Sequence, residues 1–274
     1  MAKAFGRIGL TDYNHLVPMG IKKTDTTELN PEGLKMRAKH RFVSFSAGLL
    51  AILLVAPASA GSLNKSIKIE AGTSSTGAST VNGSVKVGSG AIVTGEVSTV
   101  NGTIRVDDNA QVEDVETVNG SLRISDGVRS ESLTSVNGSI NVGTGVTVTG
   151  EVSVVNGKIS LDSGTTVSRD VSNVNGEIKL NGAEVSGNLD TVNGDVLLSD
   201  KAILHGDLTI EKPSGWGNSN KRKPKIVIGP GSRVEGTIVL EREVELFIST
   251  SAEVGGVSGV MTMDDAVRFD GSRP

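Results

Sequence analysis

The chain has 274 residues, a formal net charge of −4, no cysteine and only 3% aromatic residues. The lack of cysteine excludes disulfides, a lipid-modified cysteine anchor, thiolate metal sites and thiol nucleophiles. An acidic chain is a poor partner for nucleic acid, because contacts to phosphates need a positively charged surface, so we predict no nucleic-acid binding. Between Gly61 and Pro274 the aromatic residues are Trp216, Phe247 and Phe269, which are too few for the stacking platforms that usually hold sugars and bases.

The segment 36–60 has the order of parts typical of a secretory signal. A basic start at 36–41 is followed by an apolar run at 47–56 and then by Pro57-Ala58-Ser59-Ala60. This pattern predicts a signal peptide that is cleaved between Ala60 and Gly61. The alternative is an uncleaved anchor, but the run is short for a bilayer span, and we expect no stable membrane span after cleavage.

Residues 1–35 are polar and carry no repeat. We interpret them as an artefact of the gene model, with translation starting at Met36, or else as a true N-terminal extension. Residues 1–60 hold eight basic and four acidic side chains, so their removal leaves 19 basic and 27 acidic residues and a net charge near −8. We therefore expect an acidic protein exported through the secretory pathway, in the periplasm or at the cell surface.

The tripeptide Val-Asn-Gly recurs seven times after this leader, at intervals of 18 or 19 residues. A fixed short period indicates one structural unit stacked on itself many times. We place the solenoid at 81–260 and interpret 61–80, with the weaker pattern Ser66-Ile67-Lys68-Ile69, as an N-terminal cap coil. The copies begin at Val81, Val100, Val118, Val136, Val155, Val174 and Val192.

Within one repeat, the apolar residues are spaced as short strands around a core. In the coil at 81–99 they occupy the first, fifth, seventh, thirteenth and seventeenth places, namely Val81, Val85, Val87, Val93 and Val97. The fifth and seventh places alternate with a period of two, which is typical of a strand. Three glycines, at positions 83, 90 and 95, divide the coil into three segments, and glycine suits turns that need positive φ.

This spacing predicts an all-β fold, a single-stranded parallel β-helix or solenoid, with triangular coils of 18–19 residues around a narrow aliphatic core. The rule for parallel crossovers favours a right-handed helix, although hexad-repeat helices are a known left-handed type. Helical and propeller folds fit neither the composition nor the period.

The asparagine of each tripeptide allows two interpretations. Stacked one per coil, the side chains could form a hydrogen-bonded ladder along the axis. Alternatively, each asparagine adopts the left-handed conformation at a corner before glycine. Both interpretations are structural, and the residues are Asn82, Asn101, Asn119, Asn137, Asn156, Asn175 and Asn193.

An insertion at 213–225 interrupts the series. It is either a solvated loop or a contact site for an anionic partner such as an envelope polysaccharide or lipopolysaccharide, or for a protein partner, since insertions in solenoids often carry recognition. Residues 261–274 are interpreted as a C-terminal cap or tail. The candidate contact residues of the insertion are Trp216, Lys221, Arg222, Lys223 and Lys225.

Parallel β-helices include polysaccharide lyases and hydrolases, which place carboxylates on adjacent coils. Aspartates follow core strands in several repeats, but glycine takes the same place in others, so they are interpreted as turn residues, with weak calcium binding or catalysis as alternatives. After the leader His205 is the only histidine, which is too few for a zinc site. We predict no enzyme, catalytic residue, metal or cofactor. The aspartates are Asp107, Asp108, Asp126, Asp162 and Asp200.

Runs such as Gly83-Ser84-Val85-Lys86-Val87 and Gly95-Glu96-Val97 resemble bacterial adhesin-like β-solenoid domains of unknown function, and also the polymer-forming bactofilin domain. The resemblance covers about 62–260. It implies a structural or adhesive role, with self-association through coil ends as a further possibility. Bactofilins are usually cytoplasmic and lack signal peptides, so the exported adhesin-like group fits better. We predict an exported, non-enzymatic envelope solenoid, with a carbohydrate-active enzyme or a head-to-tail polymerising scaffold as alternatives.

Overall fold

The computed structural model describes residues 61–213 and 222–274, which fold into a parallel β-solenoid of about ten coils. The predicted fold class is therefore confirmed. The predicted signal peptide with Ala60, the extension at 1–35, and Trp216 and Lys221 of the insertion lie outside the described residues, whereas Gly61 begins the first strand.

The described chain forms 29 strands and a single 3₁₀ helix, Met263–Asp265. In chain order the strands are β1 (Gly61–Ser62), β2 (Ile67–Ile69), β3 (Ser74–Ser75), β4 (Ala78–Asn82), β5 (Val85–Val87), β6 (Ile92–Val93), β7 (Val97–Asn101), β8 (Ile104–Val106), β9 (Val115–Asn119), β10 (Leu122–Ile124), β11 (Arg129–Ser130), β12 (Leu133–Asn137), β13 (Ile140–Val142), β14 (Thr147–Val148), β15 (Val152–Asn156), β16 (Ile159–Leu161), β17 (Thr166–Val167), β18 (Val171–Asn175), β19 (Glu177–Asn181), β20 (Glu184–Val185), β21 (Leu189–Thr191), β22 (Asp195–Ser199), β23 (Ile203–Leu204), β24 (Leu208–Ile210), β25 (Lys225–Ile228), β26 (Arg233–Leu240), β27 (Glu245–Ser249), β28 (Glu253–Gly259) and β29 (Val267–Phe269).

The strands stack into three columns, one for each side of a coil. Column 1 contains the strands that end at or near the tripeptide, from β1 and β4 to β24. Column 2 runs from β2 and β5 to β29, and column 3 contains the two-residue strands from β3 to β23. At the C-terminal end, β26 continues both column 3 and column 1, since its first residues pair with β23 and its last with β24.

All strand pairs are parallel and keep the repeat in register. For example, Ile104 pairs with Leu122, which pairs with Ile140, so that large aliphatic residues lie on one another from coil to coil. All three of these side chains are fully buried. Burial of each such side chain contributes about 1.5–3 kcal/mol, which a strand of three residues obtains only through its neighbours.

The prediction that the first place of the repeat belongs to the core is wrong for six of the seven tripeptides, the exception being the buried Val192. Val100 is only half-buried, while Val97 and Thr99 of the same strand, β7, point inward. Because alternate residues of a strand face opposite sides, Val100 must face outward once Val97 and Thr99 face the core. The eleventh place, Ala91 in the first coil, is buried instead.

The glycine of the tripeptide is required by close approach between coils more than by positive φ. A Cβ at Gly120 would lie 1.7 Å from the carbonyl oxygen of Gly102, and one at Gly138 would lie 1.7 Å from that of Gly120. Gly90, in contrast, has φ of +65° with no atom near a Cβ, as the sequence predicted for a turn. The repeat therefore needs glycine for two different reasons.

In the described part of the chain no helix has both the length and the apolar character needed to cross a membrane.

Candidate functional site

The tripeptide asparagines lie in one row at the end of column 1, and their amides are hydrogen-bonded to each other. Each Nδ2 donates to the Oδ1 of the asparagine one coil earlier, with donor–acceptor distances between 2.7 Å for Asn82 and 3.0 Å for Asn119. The row starts one coil before the tripeptides, because Asn82 donates to Asn64 at 2.7 Å. Among the described residues, non-glycine positive φ occurs only at Asn109, Asp200 and Lys201, so the row asparagines do not adopt the left-handed corner conformation.

Arg242 ends this row at its acceptor end. It occupies the asparagine place of the repeat two coils after Asn193, and its Nη1 donates to the Oδ1 of Asn193 at 2.8 Å. The same nitrogen donates to the carbonyl of Val192 at 3.3 Å, and Nη2 donates to that of Arg222 at 3.0 Å. The arginine thus satisfies the last amide oxygen and ties the coil after the insertion to the coil before it.

A second polar row lies inside the solenoid, directly before the tripeptides. The hydroxyl of Thr99 donates to the carbonyl of Gly83 at 2.8 Å, and that of Ser135 to the carbonyl of Gly120 at 3.3 Å. These bonds satisfy turn carbonyls that would otherwise be buried without a partner. Sequence reasoning missed this row, although serine or threonine precedes most of the tripeptides. Its buried polar members are Thr80, Thr99, Thr117, Ser135, Asn173 and Thr191.

Substitution of Asn137 by alanine is expected to lower the free energy of unfolding by about 1–2 kcal/mol, because two exposed amide hydrogen bonds are lost and water replaces them in part. Asn141→Ala removes an exposed asparagine of the same coil that lies outside the row, and should change stability by less than about 0.5 kcal/mol. Equilibrium urea unfolding of both variants tests this. Equal losses for the two would show that the row contributes nothing.

The described basic residues at the C-terminal end of the insertion are occupied by contacts within the chain. Arg222 forms an ion pair with Asp195, and Lys223 Nζ lies 2.7 Å from Glu243 Oε2. Lys225 Nζ lies 4.8 Å from the centre of the Phe247 ring. The charges predicted to attract an anionic partner are thus largely balanced at the C-terminal side of the insertion.

The five candidate aspartates fall on two rows beside column 2 and do not converge. Asp107 accepts hydrogen bonds from Arg105 at 2.8 Å and lies 3.1 Å from Lys86 Nζ. Burial favours a higher pKa for Asp107, but these two cations outweigh it and hold the pKa below its ordinary value. Asp126 accepts a hydrogen bond from the backbone amide of Thr144, one coil later, at 2.7 Å.

The remaining aspartates are turn residues or lie singly. Asp108 is exposed, and Asp200 has a φ of 53° in a turn, while Asp162 borders a groove described below. Within the described ranges, no group of three or more histidine, aspartate or glutamate residues is arranged to hold a metal ion.

Two half-buried glutamates on the outer side of column 1 have raised pKa values, and sequence reasoning missed both. Burial, with Glu96 and Asp114 nearby, raises the pKa of Glu116 to about 7. Burial, with Asp190 and Glu241 nearby, raises the pKa of Glu211 to about 7. Both glutamates could have been found in the sequence as departures from the repeat. Glu116 replaces a serine or threonine of other coils, and Glu211 occupies the place at which the tripeptides have valine.

His205 lies between two carboxylates on the outer side of column 3. Its Nδ1 is 2.8 Å from Glu235 Oε2, and its Nε2 is 2.8 Å from Glu184 Oε1. Carboxylates only accept hydrogen bonds, so the imidazolium form, in which both ring nitrogens carry a proton, is the form that can donate to both glutamates. The hydrogen bond to Glu235, followed by that to Glu184, raises the pKa of His205 above 6.5.

We expect the imidazole of His205 to titrate above 6.5 by NMR, and Glu235→Gln to lower this pKa towards 6.5. Since the folded pKa is raised, the contact stabilises the fold fully below pH 6.5, and this stabilisation is lost as the pH rises through the folded pKa. Glu177→Gln is the control, because Glu177 lies in the same coil as Glu184 but on column 2, where it pairs with Lys158, and it should leave the titration unchanged. A wild-type pKa at or below 6.5 would contradict the pairing.

Taken together, in-register parallel strands, stacked polar rows and a continuous aliphatic core define the class of this protein as a parallel β-solenoid. Comparisons with protein-family models, with curated proteins and with solved structures found no match. The class therefore rests on the geometry, and the resemblance to adhesin-like and bactofilin domains stays a prediction.

Proposed function

We propose that this protein is an exported, non-enzymatic solenoid of the bacterial cell envelope, structural or adhesin-like, which presents a repetitive surface for adhesion or assembly. The single observation that carries the proposal is that equivalent residues lie in register from coil to coil. Such a surface offers the same weak contact many times, and repeated contacts raise avidity without any single strong site.

The chemistry of the repeat supports a scaffold. The side chains that recur most regularly are engaged with one another, as in the asparagine row and the buried hydroxyl row. Their regularity is explained by stacking. The acidic rows are partly occupied by neighbouring cations and backbone amides, which suits turns more than acid–base catalysis.

Export is tested by producing the full chain with a C-terminal tag in a bacterium, followed by fractionation and mass spectrometry. We expect a mature N-terminus at Gly61 in the envelope or the medium. Ala60→Phe should block cleavage because the last residue before the cut must be small, whereas Ser59→Gln, at the tolerant position, should not. An uncleaved chain confined to the cytosol would refute the proposal.

The insertion at 213–225 is the proposed partner contact of the envelope solenoid. Because Arg222 and Lys223 are paired with acids of this chain, this contact relies on Trp216 and Lys221. Trp216→Ala combined with Lys221→Gln should weaken retention by isolated envelopes, and unchanged retention would remove the insertion from the mechanism.

A second candidate function is end-to-end assembly, favoured by the location of exposed apolar residues. Leu63, Val260 and Val267 are 74%, 58% and 54% exposed and belong to the first and last coils. Among residues 61–213 and 222–274, the end strands pair on one side only, since β1 pairs with β4 and β29 pairs with β27. Unpaired strand edges beside apolar side chains are templates for association.

Sedimentation velocity over a range of concentrations tests assembly. The double change Val260→Glu and Val267→Glu is expected to shift oligomers to monomers. Ile92→Glu changes a 41% exposed residue on the side of the solenoid and should leave assembly intact. A wild-type protein that stays monomeric at high concentration would exclude this function.

A further inference from the structure

A row of four cations lies on the outer side of column 2, at its N-terminal half. Lys68 pairs in register with Lys86, Lys86 with Arg105, and Arg105 with Arg123, so the four occupy the same place in successive coils. All four are exposed. Neighbouring strands are about 4.8 Å apart, so the row, here called the basic row, presents positive charge at regular short intervals.

The charge of the basic row is unevenly balanced. Lys68 pairs with Glu70 at 2.7 Å, while Lys86 and Arg105 share Asp107. Arg123 forms no ion pair or hydrogen bond through its side chain within residues 61–213 and 222–274. Two of the four positive charges are therefore left uncompensated within the row, one at Arg123 and one shared by Lys86 and Arg105.

Arg123 borders a surface groove of about 270 Å³. Along column 2 the groove continues from Arg105 and Arg123 to Asn141 and Ser160, where the outward side chains become short and neutral. Gly143, which has no side chain, forms part of the wall of the groove. The groove thus combines a cationic end with hydrogen-bonding groups along its length.

We propose that this groove binds an acidic linear glycan lying along the solenoid axis. Arg123 takes a carboxylate of the glycan through paired N–H donors, and Arg105 lies one coil away for a second contact. Asn141 and Ser160 hydrogen-bond to neutral hydroxyl groups. This inference rests on the proposed envelope function and names its substrate class.

The surroundings favour a sparsely charged glycan over a densely charged polymer. Asp162 borders the far end of the groove and would repel an anion there. A nucleic acid, which carries a phosphate on every unit, would meet this carboxylate and an acidic protein overall. Neutral hydroxyls matched to Asn141 and Ser160 avoid that cost. The groove lining contains no aromatic side chain, so recognition depends on charge and hydrogen bonds.

Binding of the exported full chain to immobilised hyaluronan, which carries a carboxylate on every second sugar only, tests the inference, with neutral dextran and polyglutamate as reference polymers. We expect binding to hyaluronan that weakens with added salt and none to dextran. Arg123→Glu should weaken binding at least about tenfold, the loss of one charge-assisted contact. Ser160→Leu, which fills the groove without changing its charge, should also weaken it.

Arg129→Glu is the matched control, because Arg129 lies in the same coil as Arg123 but is exposed on column 3. It should retain binding within about twofold, and circular dichroism should show the same strand content for all variants. No binding to hyaluronan, equal loss for Arg123→Glu and Arg129→Glu, or equally tight binding to polyglutamate would overturn the inference. Correct export and cleavage in the same preparation would leave the envelope function standing.

Discussion

Substitution of Gly120 by alanine is expected to lower the free energy of unfolding by about 3–5 kcal/mol, since a backbone clash of this kind costs more than ordinary overpacking. The new Cβ would lie 1.7 Å from the carbonyl oxygen of Gly102, which is part of the coil below. That oxygen belongs to backbone, and it also accepts the hydroxyl of Thr117 at 3.3 Å. The two coils can admit the methyl group only by separating, which breaks several strand hydrogen bonds at once.

The matched control is Gly145→Ala, because Gly145 has a φ of +64° and no atom within 4 Å of a Cβ. This substitution should lower the free energy of unfolding by about 1–2 kcal/mol, which is the local penalty for an alanine in the left-handed backbone conformation. Urea unfolding followed by circular dichroism measures both. Hydrogen exchange should also show increased opening of the coils on either side of Gly120 only. Comparable losses for the two variants would contradict the role given to close approach.

Substitution of Leu133 by alanine is expected to lower the free energy of unfolding by about 3 kcal/mol, as other large-to-small changes in closed cores do. Leu133 is fully buried and lies between Val115 and Val152, which are both smaller and rigid at χ1. The coils cannot collapse into the space, because their separation is fixed by backbone hydrogen bonds.

Leu63→Ala serves as the reference for the Leu133 experiment, since Leu63 is 74% exposed. It should change stability by less than about 0.5 kcal/mol. Thermal unfolding and urea unfolding should both show that the Leu133→Ala protein is less stable than the Leu63→Ala protein. A Leu133→Ala protein as stable as Leu63→Ala would mean that the aliphatic column contributes little to the fold.

The fold could be predicted because each repeat carries its own strand and turn signals and these signals recur along the chain. The period of 18 or 19 residues and the alternation around Val85 and Val87 each require only neighbouring residues to be recognised. The orientation of Val100 was predicted wrongly because every recurring apolar place of the repeat was assigned to the core. In the structure β7 runs through to Asn101, and period two then decides which side chains face inward.

The surface features were harder to predict, because they depend on which residues become neighbours across coils. Lys68, Lys86, Arg105 and Arg123 are 18 or 19 residues apart, and the acidic net charge of the chain conceals their alignment. Likewise, the contact of Arg242 with Asn193 spans the insertion, whose length hides their common place in the repeat.

The in-register pairing of β9, β12 and β15 has a consequence for how such a molecule changes over time. When one whole coil within this stretch is duplicated or lost, every remaining residue still stacks on the equivalent residue of the next coil. The length of the solenoid can therefore change without loss of packing. Gain or loss of a single residue within a strand instead turns buried side chains outward in that unit. Evolution of this protein should therefore add or remove whole repeats. Such changes alter the length of the solenoid and leave the cross-section of each coil unchanged.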